Sequence, residues 1–152
     1  MPASTLLSGG VRDHDGFMAE VGVLLVDDQA PFREAARAVL ERVKGFELVA
    51  EADSGEQALE MVGQANPDLV LMDINMGGIS GIEAARLITR AHPHVLVILL
   101  STYLVEDLPP DVRTSGAAAY LHKEDLSGRV LRRLWDEGGD PQFQRPQPDH
   151  ST

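Results

Sequence analysis

The sequence predicts an α/β fold, a five-stranded parallel sheet with helices on both faces. Three observations carry this expectation. First, residues 23–26, 69–72 and 95–100 are apolar runs without polar alternation, the pattern of strands buried on both faces. Second, the segments between such runs carry apolar residues at helical spacing. Third, strand and helix patterns alternate throughout residues 20–137, which implies right-handed crossovers and a parallel sheet.

Taken in order, residues 1–19 are aperiodic and contain Ser, Gly and Asp, so a disordered N-terminal extension is expected there. Residues 21–27 form the first strand, ending in Asp27-Asp28. Pro31 suits a first helical turn, and Phe32, Ala35, Val39, Leu40 and Val43 recur at helical spacing until Gly45 stops the helix. Residues 47–52 make a short second strand. Ser54 with Gln57 forms a capping box ahead of Ala58, Leu59, Met61 and Val62. Asn66-Pro67-Asp68 introduces the third strand, residues 69–73, and Gly77-Gly78 marks the exit. Ile82, Ala85 and Ile88 define a third helix that ends before Pro93. Residues 95–101 are the fourth strand.

Leu108-Pro109-Pro110 stands where the fourth helix should begin. Each proline fixes its own φ and disfavours α geometry in the residue before it, so that helix should be late and short and residues 104–108 irregular. Residues 118–121 are a short fifth strand. Leu126, Val130, Leu131 and Leu134 mark a final amphipathic helix. From Gly138 onward the chain is rich in Gly, Pro and Gln, and residues 138–152 are expected to be a disordered tail. These elements make one domain over residues 20–137. Its five strands fit the flavodoxin-like order 2-1-3-4-5.

Composition narrows the function. Twenty-four acidic residues against 13 basic give a net charge of −11, which repels phosphate backbones and argues against direct nucleic-acid binding. The absence of cysteine excludes disulfides and thiolate metal sites and fits a cytoplasmic location. No apolar run approaches the ~20 residues of a membrane span, and the N-terminus lacks a secretory pattern. The five histidines show no metal-ligand spacing. Arg129, Arg132 and Arg133 read as a solvated helix face, and Trp135 as core or partner contact.

Parallel strands deliver their C-terminal ends to one rim, where ligands bind in open α/β sheets. Asp27, Asp28, Asp73, Ser101 and Lys123 all fall there. Clustered carboxylates repel unless a cation neutralises them, and with oxygen ligands only the natural cation is Mg²⁺. A metal, a lysine and a hydroxyl together suit a dianionic phosphoryl group. An aspartate can itself be the nucleophile, giving an acyl phosphate.

These motifs resemble the receiver domain of two-component response regulators: Val26-Asp27-Asp28; Met72-Asp73-Ile74-Asn75-Met76 with Gly81; Ser101; and residues 116–123, ending Tyr120-Leu121-His122-Lys123. The resemblance implies that Asp73 is the phosphoacceptor. It implies that Asp28 and Asp73 bind Mg²⁺ directly with the backbone carbonyl of Asn75, and that Asp27 acts through water. Lys123 would pair with the phosphoryl group, Ser101 would swing to it, and Tyr120 would report the switch. The implied partners are a histidine kinase or phosphotransfer protein, an output protein, and a second copy of the chain. The expected protein is a stand-alone signalling switch with no DNA-binding output domain and no enzymatic turnover of external substrates. Departures from the family pattern are Gly77, where proline is usual, and Thr102, where a smaller residue is usual. They raise an alternative, a degenerate receiver that binds partners without phosphate. A phosphoaspartyl hydrolase is a further alternative, but Asp73-Ile74-Asn75 lacks the second acid that such an enzyme needs.

Overall fold

A computed structural model describes residues 20–144. The five strands are β1 (Val21–Val26), β2 (Phe46–Ala52), β3 (Leu69–Asp73), β4 (Leu96–Ser101) and β5 (Ala119–His122). They form one parallel sheet in the order β2-β1-β3-β4-β5. The helices are α1 (Ala30–Glu41), α2 (Gly55–Ala65), α3 (Gly81–Ala91), α4 (Gly128–Glu137) and a single turn, α5 (Pro141–Gln144).

The unbroken apolar runs feed two cores at once. Successive side chains of a strand point to opposite faces. Leu24, Val26, Val70, Met72, Val97 and Leu99 pack with α2 and α3 on one side. Val23, Leu25, Leu69, Leu71, Ile98 and Leu100 pack with α1 and α4 on the other. All twelve are fully buried, which is why alternation is absent from their sequence. At about 1.5–3 kcal/mol for each such side chain, this burial is the main term holding the rim residues in place.

Helix starts follow local chemistry. Ser54, Ser80 and Ser127 each accept a backbone N–H from three residues on, at the starts of α2, α3 and α4. Pro31 lies in the first turn of α1 as expected. That helix ends at Glu41, however. Gly45, at φ +91°, instead shapes the following turn, whose carbonyl accepts from Val21 N–H at 2.6 Å. Trp135 is half-buried against the α1/α4 core. Arg132 is not merely solvated: its guanidinium lies 4.8 Å from the Phe46 ring centroid and donates to the Lys44 carbonyl.

Two regions differ from expectation. No α-helix forms between β4 and β5. Two 3₁₀ turns stand there, Val105–Asp107 and Pro110–Val112. Pro109, at φ −58° and ψ 146°, separates them in extended geometry, and the second turn has too few residues before Gly116 to extend. The second correction concerns the first part of the tail expected from residue 138: residues 138–144 are structured and end in α5. Gly138 and Gly139, at φ +71° and +121°, reverse the chain so that Asp140 N–H donates to the Ala118 carbonyl at 3.0 Å. Phe143 is then buried in the same core as Val112 and Ala117. Arg113 donates to the Phe143 carbonyl at 2.9 Å, with its guanidinium carbon 5.1 Å from the ring centroid. The expected N-terminal extension, residues 1–19, and residues 145–152 lie outside the described residues. Among the described residues no helix is long and apolar enough to cross a membrane.

Candidate functional site

The C-terminal rim of the sheet gathers the predicted residues. Asp27 follows β1 directly and is fully buried, Asp73 ends β3 and is 4% exposed, and Ser101 ends β4 and is 1% exposed. Asp28 is exposed. Asp27, Asp28 and Asp73 each place a carboxylate oxygen within 4.8 Å of the others. Lys123 opens a 3₁₀ turn, Lys123–Asp125, directly after β5. Its ammonium lies 2.7 Å from Asp27 Oδ2 and 3.5 Å from Asp73 Oδ2.

The Asp27 and Asp73 carboxylates are held by backbone N–H groups and by Lys123. Asp27 Oδ1 accepts from Gln29 N–H at 2.8 Å, which orients the entry to α1. Asp27 Oδ2 makes no well-angled hydrogen bond. The nearby ammonium is its electrostatic partner, so the oxygen is paired in charge but not saturated as an acceptor. Asp73 Oδ1 accepts from Asn75 N–H at 3.2 Å. Burial, and next the Asp27 charge, push the Asp73 carboxyl above its ordinary range, while Lys123 and the Asn75 N–H pull the other way. This rim stores negative charge that one lysine does not fully offset. An under-coordinated buried oxygen and three converging carboxylates are a donor set for a hard divalent cation, and the residues present therefore fit Mg²⁺.

Ser101 and Tyr120, expected from the resemblance to act in switching, also sit at the rim. Tyr120 donates its phenol O–H to the Tyr103 carbonyl at 2.5 Å and lies 3.2 Å from the Ser101 carbonyl. Burial raises its phenol above the usual tyrosine range, so it remains a donor. Ser101 Oγ accepts from Tyr103 N–H at 2.9 Å. Thr102 is exposed, and a methyl group added at Gly77 would meet nothing within 4 Å, so neither departure crowds its surroundings. Gly81 is different. A Cβ there would come within 2.0 Å of the Asp73 carbonyl oxygen, so helix α3 can pass the end of β3 only through glycine.

Two residues at the rim were not identified from sequence. Phe32 lies under Lys123, its ring centroid 4.5 Å from the ammonium, in a cation–π contact that helps aim the lysine. Its sequence signal was only helical periodicity, which assigns it to core. His122 contacts the Thr102 carbonyl and the Glu124 N–H. Nothing in its spacing distinguishes it from a surface histidine.

The chain is similar to known proteins. A family profile described as the response regulator receiver domain matches residues 23–134. The response regulator UvrY of Escherichia coli strain K12 is 43% identical over 114 residues, covering 75% of this chain and 52% of UvrY. The transcriptional regulatory protein DegU of Brevibacillus brevis is 39% identical over 105 residues, 69% of this chain and 44% of DegU. Among solved structures, the signal receiver domain of the response regulator NarL from Mycobacterium tuberculosis superposes with a TM-score of 0.70 at 28% identity, covering 78% of this chain and 95% of that one. The chain thus spans about half the length of the curated relatives it matches. With the profile matching most of the sheet and every rim residue from Asp27 to Lys123, the chain belongs to the response regulator receiver domain family.

Proposed function

We propose that this chain is a phosphorylation-controlled switch in which Asp73 accepts a phosphoryl group from a histidine kinase or phosphotransfer protein. The observation that carries this reading is the convergence of Asp27, Asp28 and Asp73 with Lys123 at one strand rim. Asp73 Oδ1 is engaged by Asn75 N–H, which leaves Oδ2, facing Lys123, to attack phosphorus. The O–P bond forms as the phosphohistidine N–P bond breaks, and the released imidazole stays with the donor protein. Lys123 then moves toward the new phosphoryl oxygens, and Ser101 donates its hydroxyl to them. Asp28 and Asp73, with the Asn75 carbonyl, would hold Mg²⁺, and Asp27 would act through water. When bound, the metal neutralises charge on the phosphoryl group in flight.

Ser101 is linked to Tyr103 by a hydrogen bond, and Tyr103 to Tyr120 by another, so movement of Ser101 must disturb the Tyr120 phenol. That linkage supports a two-state switch in which phosphate at Asp73 changes the face offered to partners. The curated relatives extend over about twice the matched length, and one is a transcriptional regulatory protein. A stand-alone receiver without DNA-binding output therefore has no support from them. The chemistry proposed for this chain is on itself only, since Asn75 stands where a hydrolase would need a second acid. Intact mass after incubation with acetyl phosphate and Mg²⁺ should show one added phosphoryl group, absent from Asp73→Asn. Undiminished labelling of that variant would refute the assignment.

A further inference from the structure

Tyr120 and His122 lie two residues apart on β5 and so share one face of the strand. Both reach the loop leaving β4. Tyr120 contacts the carbonyls of Ser101 and Tyr103. His122, paired in register with Ser101, takes the carbonyl between them: its Nε2 lies 3.1 Å from the Thr102 oxygen. Three consecutive loop carbonyls are thus held by two β5 side chains.

The other ring nitrogen is also occupied. His122 Nδ1 accepts from the Glu124 N–H at 3.1 Å, capping the turn Lys123–Asp125. An imidazole that accepts at Nδ1 and faces a carbonyl with Nε2 carries its proton on Nε2. The ring therefore ties the loop that bears Ser101 to the turn that begins with Lys123.

We propose that His122, as the neutral Nε2–H tautomer, is a positioning residue for phosphoryl uptake, clamping the Ser101 loop to the Lys123 turn. This inference rests on the reading of Asp73 as phosphoacceptor. Ser101 and Lys123 serve the transferring group only if both are in place before it arrives, because reorganisation at the moment of transfer adds to the barrier. Proton uptake at Nδ1 would set one donor against another at the Glu124 N–H and undo the cap. Several groups face the same open cavity as His122: Glu106 from the Val105–Asp107 turn, Glu124 and Asp125 from its own turn, and the phenols of Tyr103 and Tyr120. The Lys123 ammonium is turned away toward Asp27.

The test uses the full chain with acetyl phosphate and Mg²⁺, following phosphoryl uptake by intact mass. At pH 7.5, His122→Ala should react roughly threefold to tenfold more slowly, the loss expected when one or two net hydrogen bonds go. His122→Gln, whose carboxamide N–H can still donate to the Thr102 carbonyl, should recover most of the rate. Equal rates for wild type and His122→Ala at pH 7.5 would overturn the proposal. Two readouts do not depend on phosphate: ring ¹⁵N shifts should report the Nε2–H tautomer, and His122→Ala should lose amide protection at Glu124. An Nδ1–H tautomer or unchanged protection overturns the clamp even if wild type takes no phosphate at Asp73, a result that would itself refute the phosphoacceptor reading instead.

Discussion

Lys123 rests against Asp27, 2.7 Å from its Oδ2, and stands off Asp73 Oδ2 by 3.5 Å. In the unphosphorylated protein the lysine is thus chiefly the counterion of the one fully buried carboxylate at the rim. Removing one partner of a buried pair leaves an uncompensated charge. Lys123→Ala should therefore lower stability by about 3 kcal/mol when Mg²⁺ is absent. Mg²⁺ should restore more stability to the variant than it adds to wild type, since the cation then takes over the lysine's charge. Thermal melting with and without Mg²⁺ measures both effects. A variant as stable as wild type in chelator would show that the pair contributes nothing.

Asp73 carries the opposite liability. Its folded-state pKa is raised above the ordinary 3.8, chiefly by burial and then by Asp27. Between those two values the native state holds more protons than the unfolded chain, so stability falls as pH rises through this window. Above the folded pKa the loss is complete. Asp73→Asn removes it and should raise the melting temperature at pH 7 in chelator. The gain should vanish as pH drops below about 3.8. A stabilisation that persists unchanged at pH 3 would assign the effect to packing, not charge.

Gly77 and Gly81 flank the same loop yet should respond in opposite ways. Gly77 has open space around it and no positive φ, so Gly77→Ala should change stability by no more than about 0.5 kcal/mol. A Cβ at Gly81 would strike the Asp73 carbonyl, and Ile74 O already accepts the Gly81 N–H at 3.0 Å, so helix α3 cannot easily retreat. Gly81→Ala should cost about 3 kcal/mol or more and perturb Asp73 as well. Urea denaturation compares the two directly, and phosphoryl uptake should fall only for Gly81→Ala.

The parts of the molecule legible in sequence are those with a local signature. An apolar run that ends abruptly in Asp73 or Asp27-Asp28 announces both a doubly buried strand and a polar rim, because parallel topology sends all such ends to one edge. The prolines at 109 and 110 likewise announced a disrupted helix, although not that two 3₁₀ turns would replace it. Contacts between distant side chains left no such trace. Phe32 beneath Lys123 and His122 between two loops follow from how the elements dock, and neither has a periodicity that separates it from core or surface. Gly138-Gly139 was ambiguous for another reason: two glycines serve a loose linker and a tight reversal equally well.

That reversal leads to the last prediction. Between β4 and β5 the chain builds only short turns, which cover less of the sheet edge than a full helix would. The segment after α4 compensates. Asp140 N–H pairs with the Ala118 carbonyl beside edge strand β5, and Phe143, 7% exposed, enters the α2/α3 core beside Val112 and Ala117. Gln144 closes the turn by donating to the Gly138 carbonyl at 3.1 Å. Arg113 fixes Phe143 from the far side, through its carbonyl and its ring. Phe143→Ala should therefore cost about 3 kcal/mol, the low end for a buried phenylalanine because its site lies near the surface. Phe143→Leu should recover much of that, since volume and apolarity matter more than the ring. Arg113→Ala should cost less, about 1 kcal/mol, and its effect should largely disappear in the Phe143→Ala background, as for two residues in direct contact. A double-mutant cycle by urea denaturation decides. If Phe143→Ala costs under about 0.5 kcal/mol, the segment after α4 does not hold the receiver together.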